Sequence, residues 1–270
     1  MDRLLVLKLT SLNCEAEAWL NGMPIARVGP GRPVATLPVH EYTVAGNNRI
    51  ELVTGPAPAV TPAGMVPAPA MRRVADGPSA AQVRMLLPRI GNPADESSAR
   101  SLAQLDWAVS PGEVFEQPLT RSLEVALPVN FPRWRWLEAP VIEPNAALQE
   151  QAFTLLQTLA FDLGRGEFES FVNVTRLRFE ELALAYQRTP ADEIARWREA
   201  MQGLHAAGRL KLLPLKPEAL HLRRLAGGRL LDCVDTHGEP ALRSAPDAEG
   251  RSLALPLRAA VVEGKIYVLR

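Results

Sequence analysis

The chain has 270 residues, 47% hydrophobic and 22% charged, and its 30 basic and 30 acidic residues cancel. Such a composition belongs to a folded globular protein, and the charge balance, which holds in each half, excludes the basic excess that nucleic-acid binding requires. No stretch approaches the roughly 20 apolar residues of a membrane helix, and the apolar run at 4–9, broken by Lys8, is shorter than a secretory leader needs, so a cytoplasmic location is expected.

Eighteen of the 24 prolines lie at or before Pro144. Proline cannot donate to a helix ladder and clashes with the preceding turn, so the first half reads as strands, turns and loops. Leu5, Leu7 and Leu9 alternate in a first strand; Cys14, Ala16, Ala18 and Leu20 alternate in a second. Asn21-Gly22 then joins it to residues 23–28, the pairing expected of a type I′ hairpin turn with φ > 0 at both central positions. Further strands are expected at 36–39 and 48–53, with a turn at Gly46-Asn47. Residues 55–70, rich in Pro and Ala and without periodicity, read as a loop or insertion. Alternation resumes at 83–87, 103–109 and 123–127, with Gly91-Asn92-Pro93 and Ser110-Pro111-Gly112 as turns. Seven or so such strands predict an antiparallel β-sandwich over residues 1–140.

The second half, residues 141–270, changes pattern. Asn145 is placed to cap a helix carrying Leu148, Ala152, Leu155, Leu156, Leu159 and Leu163 on one face. After a short helical turn at 167–171, a second helix carries Phe179, Leu182 and Tyr186. Thr189-Pro190-Ala191-Asp192 predicts the start of a third, with Thr189 as N-cap and Pro190 at the first helical position; Ile194, Trp197, Met201 and Leu204 form its apolar stripe. Strands follow at 210–213, 219–225, 229–234, 241–245, 253–262 and 266–269. Three helices before an antiparallel meander predict an α+β domain. Cys14 and Cys233 sit in separate strand-like contexts and read as buried thiols.

Two resemblances accompany these readings. Ala18-Trp19-Leu20-Asn21-Gly22-Met23-Pro24, followed by Gly46-Asn47-Asn48-Arg49-Ile50-Glu51-Leu52, resembles the hairpin and strand of galactose-binding-like jelly rolls. That likeness implies a fold; many members of the family are structural accessories that bind no sugar. The order of elements after residue 145, with the break at Gly164-Arg165-Gly166-Glu167-Phe168, is similar to the cystatin-like cone of the ketosteroid-isomerase and nuclear-transport-factor superfamily. It implies a pocket at the mouth of a curved sheet. Proton abstraction there would need a carboxylate and an opposing donor, and Asp162, Tyr186, His221 and Asp235 are the polar residues nearest such positions.

No phosphate loop, dinucleotide-binding glycine set, zinc-protease helix or nucleophile elbow is present, and the four histidines show no ligand spacing, so no cofactor or metal is expected. The most unusual local sequence is Arg133-Trp134-Arg135-Trp136. In an extended segment both indoles share one side and both guanidinium groups the other, which suits either a seam between domains or a stacking platform for a sugar or peptide. Glu180-Glu181 reads as ordinary helix-surface charge. The expectation is a non-catalytic protein that works by binding another protein. The alternatives are a small-ligand binder or enzyme using the cone-like pocket, and a carbohydrate-binding module.

Overall fold

The computed structural model describes residues 4–61, 64–88, 98–127, 131–247 and 252–270. The expected turn at 91–93 lies outside them. The chain divides into two compact units. The first holds residues up to Ala57 and Pro67–Arg133; the second holds Pro58–Val66 and Trp134–Arg270.

The strands of the first unit are β1 (Val6–Leu12), β2 (Ala16–Leu20), β3 (Met23–Val28), β4 (Val34–Pro38) and β5 (Gly46–Thr54). The chain then leaves through β6 (Pro58–Thr61) and β7 (Gly64–Pro67). It returns as β8 (Met71–Val74), β9 (Ser79–Leu87), β10 (Arg100–Val109), β11 (Val114–Gln117) and β12 (Leu119–Leu127). Two four-stranded antiparallel sheets form, ordered β10-β9-β1-β4 and β12-β5-β2-β3, with β8 and β11 as a separate ribbon. This is the expected β-sandwich. Alternation places Leu5, Leu7 and Leu9 from one sheet and Ala16, Ala18, Leu20, Ile50 and Leu52 from the other in a single core.

The β2–β3 turn has the expected geometry: φ is +53° at Asn21 and +75° at Gly22, as type I′ demands. The Asn21 side chain does more than fit the turn. Its amide donates to the Tyr42 carbonyl and to Asn48 Oδ1, both at 2.8 Å, and its oxygen accepts from the Arg49 amide. Asn48, fully enclosed, accepts from the Val44 amide and donates to the carbonyls of Val44 and Gly46. Residues 43–46 are thereby fastened to the start of β5. Strand β5 begins at Gly46 itself (φ +84°), so the expected turn at Gly46-Asn47 is the first pair of that strand.

In the second unit, α1 (Ala146–Gly164), α2 (Glu169–Val174), α3 (Arg176–Tyr186) and α4 (Pro190–Ala206) precede β13 (His221–Leu225), β14 (Leu230–Val234), β15 (Arg258–Val262) and β16 (Lys265–Val268). This is the expected α+β layout, with the short turn of helix extended to α2. Asn145 Oδ1 accepts from the Leu148 amide at 2.9 Å and caps α1. Thr189 and Asp192 form a complete capping box with Pro190 at the first helical position. Leu148, Ala152, Leu156, Leu159 and Leu163 of α1 pack on Leu222, Leu231, Cys233 and Val261 of the sheet. Trp197 stacks on Phe171 at 4.4 Å, with Phe168 and Phe179 edge-on to it.

Three expectations are corrected. Residues 55–70 are not merely a loop: β6 and β7 extend the second unit's sheet, in the order β16-β15-β14-β13-β7-β6, with β7 parallel to β13 through Met65 and Arg223. Pro58 opens β6 and Pro67 closes β7, positions where a missing N–H is tolerated. The expected strands at 210–213 and 241–245, and the first part of the one at 253–262, shrink to isolated bridges, Leu212 with Ser244 and Arg243 with Ala254, while its second part forms β15. Pro214, Pro240, Pro246 and Pro256 interrupt these ladders because each removes a donor. Lastly, the aromatic run is not extended. Trp134 is β-like (φ −71°, ψ 143°), but Arg135–Leu137 turn as a single 3₁₀ helix.

Candidate functional site

The end of the sandwich holds a cleft of about 670 Å³, within the size range of small-molecule sites. The β1–β2 loop contributes Asn13, Cys14 and Glu15; the stretch after β5 contributes Gly55, Pro56 and Ala57. Residues 73–79 line another side, and Trp107 of β10 with Phe115 and Gln117 of β11 complete it. Local bonds hold these walls in place. Asn13, at φ +53°, donates from its side chain to the Pro78 carbonyl at 2.9 Å, and the Gly55 amide donates to the Glu15 carbonyl at 2.9 Å. The Gln117 side chain lies against Gly55 so closely that a Cβ there would sit 2.6 Å from it and displace the amide, and the φ of +59° favours glycine. Phe115 meets Trp107 edge-on at 5.6 Å.

The cleft's chemistry follows from these groups. Glu15 is engaged by Arg27 at 2.7 Å. Arg73 and Asp76, both exposed, pair with no other side chain among the described residues. Guanidinium and amide donors, carboxylate acceptors and the half-buried Phe115 ring, backed from the core by Trp107, together suit a small ligand rich in hydroxyls. Cys14 also lines the cleft, but burial pushes its thiol up, despite hydrogen bonds at Leu12 and Ala80 that pull the other way; it stays protonated and unreactive. Burial, helped by Asp232, pushes Cys233 up to about 12. Nothing in the sequence brought the cleft residues together. Asp76-Gly77-Pro78 is a local turn signal, yet only the fold sets it beside Asn13.

The aromatic run lies elsewhere. Trp134 and Trp136 are 1% and 4% exposed, so neither offers a face to a ligand. Trp134 carries the Arg270 guanidinium over its ring at 5.3 Å. Arg135 donates from its amide to Glu181 at 2.7 Å and from its side chain to Glu180 at 2.7 Å. Glu181 is not surface charge: it is 2% exposed and bonded to buried Arg270. These partners all belong to the second unit, whereas the exposed Arg133 belongs to the first.

The four polar residues expected at a pocket mouth are dispersed. Asp162 is in the last turn of α1, half-buried. Tyr186 ends α3 beneath the Arg188 guanidinium, 5.7 Å from its ring. His221 opens β13, its Nε2 buried and without a hydrogen bond. The Asp235 carboxylate, just after β14, binds Arg243 at 2.6 Å and accepts from the amides of His237 and Glu239, which fixes a turn. Register brings His221 opposite Val234, next to Asp235, and leaves the other two on separate helices. The space between α1 and the sheet is lined by apolar side chains such as Leu156, Leu222 and Val261 and holds about 10 Å³, too little for a ligand. It is a packed core, and none of the four residues lines it.

On the other face of that sheet, Asp232 is buried between two arginines: Arg223 at 2.8 Å and Arg258, whose Nε lies 3.9 Å away. Among the described residues no group of three or more His, Cys, Asp or Glu is arranged to hold a metal, and no helix is long and apolar enough to cross a membrane. No protein-family model matches this chain, and no curated protein sequence matches it.

Proposed function

We propose that the protein is a non-catalytic binding protein whose sandwich cleft takes a small hydroxyl-rich ligand, a sugar in chemical class. The observation that carries this reading is the pairing, in one cleft of about 670 Å³, of the uncommitted charges Arg73 and Asp76 with the half-buried Phe115 ring. A sugar presents hydroxyls that both donate and accept, and C–H faces that rest on aromatic rings. The proposal agrees with a galactose-binding-like jelly roll for the first unit and a cystatin-like cone for the second; in that cone the interior serves as core. Calorimetric titration against a panel of mono- and disaccharides tests it. Arg73→Ala and Asp76→Ala should each weaken binding about tenfold or more, the worth of a charged hydrogen bond, with unchanged melting. Absence of heat across the panel, or binding indifferent to both substitutions, rules it out.

A second reading, a partner protein, is favoured by one further observation. Val74 and Val114 face each other across the β8–β11 ribbon, each 62% exposed. Paired aliphatic side chains in water on a narrow ribbon suit a protein contact. Val114→Lys, at a residue outside the cleft lining, would abolish that contact and leave sugar binding intact.

A further inference from the structure

We infer that the second unit carries a docking groove for an extended peptide segment of a partner, apolar and acidic, which adds as a strand along residues 210–215 beside α1. This groove is separate from the sandwich cleft and shares no residue with it.

Residues 211–213 are paired on one side only. The Leu213 amide donates to the Arg243 carbonyl at 2.8 Å, and the Ala245 amide donates to the Lys211 carbonyl at 3.3 Å. Successive residues of a strand aim their backbone groups to opposite sides, so the amide and carbonyl of Leu212 turn away from that partner. Among the described residues no hydrogen bond takes either group. The segment 242–245 is flanked in turn by 253–255, which leaves 211–213 as the outer edge.

Beside this edge, α1 presents Gln157, Ala160, Phe161 and Gly164, one stripe at helical spacing. The space between helix and edge is about 430 Å³, open to solvent, with Leu212, Leu213 and Leu215 on its other wall. Phe161 is 62% exposed on a helix whose opposite face is core, and the Arg165 guanidinium lies over its ring at 5.2 Å. Lys211 is the only charged residue lining the groove, and no acid pairs with it among the described residues.

These features select the occupant. An open amide and carbonyl ask for an extended backbone. The leucines and Phe161 ask for apolar side chains at alternate positions. Lys211 asks for a carboxylate. Pro214 has no N–H, so the added strand is short. A second copy of the same edge is disfavoured, because pairing would bring two Lys211 ammonium groups into one groove, the device by which exposed edges avoid their own kind.

The test uses the full chain and a short fluorescein-labelled peptide in which Val and Glu alternate, read by fluorescence anisotropy. A Val–Lys peptide and a Val–Glu peptide N-methylated at alternate amides serve as comparisons. The Val–Glu peptide should bind, and N-methylation should weaken it about tenfold, the worth of a hydrogen bond at an otherwise unchanged contact. Lys211→Glu should reverse the preference towards the Val–Lys peptide. Phe161→Ser, at a position too exposed to support the core, should weaken binding with an unchanged melting curve. The inference is overturned if the Val–Glu peptide does not bind, if the N-methylated peptide binds equally, or if both charge types bind alike. Concentration-dependent self-association abolished by Lys211→Glu would overturn it too, since the occupant would then be a second copy.

Discussion

Buried charges concentrate in the second of the two units, while the first encloses mostly neutral polar groups. In the first, the deeply buried polar side chains include His40, which accepts from the Leu5 amide at 2.7 Å, Thr43, which donates to the Val39 carbonyl at 2.8 Å, and Asn48. All are partners of the backbone, and together they hold the stretch from Val39 to Asn48 in place. In the second, Glu181, Asp232, Arg258 and Arg270 are buried as charges that join elements far apart in sequence. An amide clamp loses its hydrogen bonds when broken, whereas a broken buried ion pair also strands a charge in low dielectric. The same kind of substitution should therefore cost more in the second unit.

The largest effect is expected from Glu181→Leu. It leaves Arg270 buried beneath Trp134 without its carboxylate and removes the acceptor of the Arg135 amide. A loss of about 3–5 kcal/mol is expected for breaking such a pair, measurable by urea unfolding. A loss below about 1 kcal/mol, the range of surface pairs, would erase the contrast between the units. Asn48→Leu should cost about 1–3 kcal/mol, because the backbone groups at 44–46 lose a partner in a fully enclosed site. Amide hydrogen exchange should speed up at 43–49 and not in the helices.

The turn sharpens the comparison within the first unit. Gly22→Val forces a β-branched residue to φ +75° and should cost about 1–2 kcal/mol. Asn21→Ala should be no milder, because Asn21 also makes three side-chain hydrogen bonds. Were the alanine variant near neutral, the turn would matter for backbone geometry alone. Smallest is Thr189→Ala, about 1 kcal/mol for a lost N-cap. Hydrogen bonds from the Thr189 hydroxyl and amide hold the Asp192 carboxyl below its ordinary value. A depressed carboxyl stabilises the fold above its unfolded pKa and ceases to do so as pH falls through the folded value. The gap between wild type and Thr189→Ala should thus be full at neutral pH and narrow in acid; a gap constant with pH would mean that the box adds only its neutral hydrogen bond.

Legibility in the sequence followed the range of the cause. Asn21-Gly22, the Asn145 cap and the Thr189–Asp192 box are decided by residues a few positions apart, and all three are present as read. The alternating leucines of β1 were equally plain. Glu181 sits among Arg176, Arg178 and Glu180 in what looks like helix-surface charge; its burial depends on Arg270, which no local pattern links to it. Prolines misled in both directions. At 55–70 they masked β6 and β7, and at 214, 240 and 256 they cut strands that alternation alone would have drawn longer. The sandwich cleft was invisible for the same reason as Glu181: its walls come from loops that only the completed fold assembles.

The excursion of residues 58–66 has a consequence for the order in which the chain can finish folding. A ribosome releases β6 and β7 well before β13 exists, so the first unit can close around both ends of this segment while its strands still lack the neighbour to which β7 pairs. Until residue 223 emerges, Pro58 and Pro67 blunt a short exposed ribbon that would otherwise recruit other strands. Nor is there a point on the chain at which one cut yields both units whole. A fragment from residue 141 onward would lack this ribbon and both buried tryptophans, so the smallest piece of this protein that contains the complete second unit also contains most of the first.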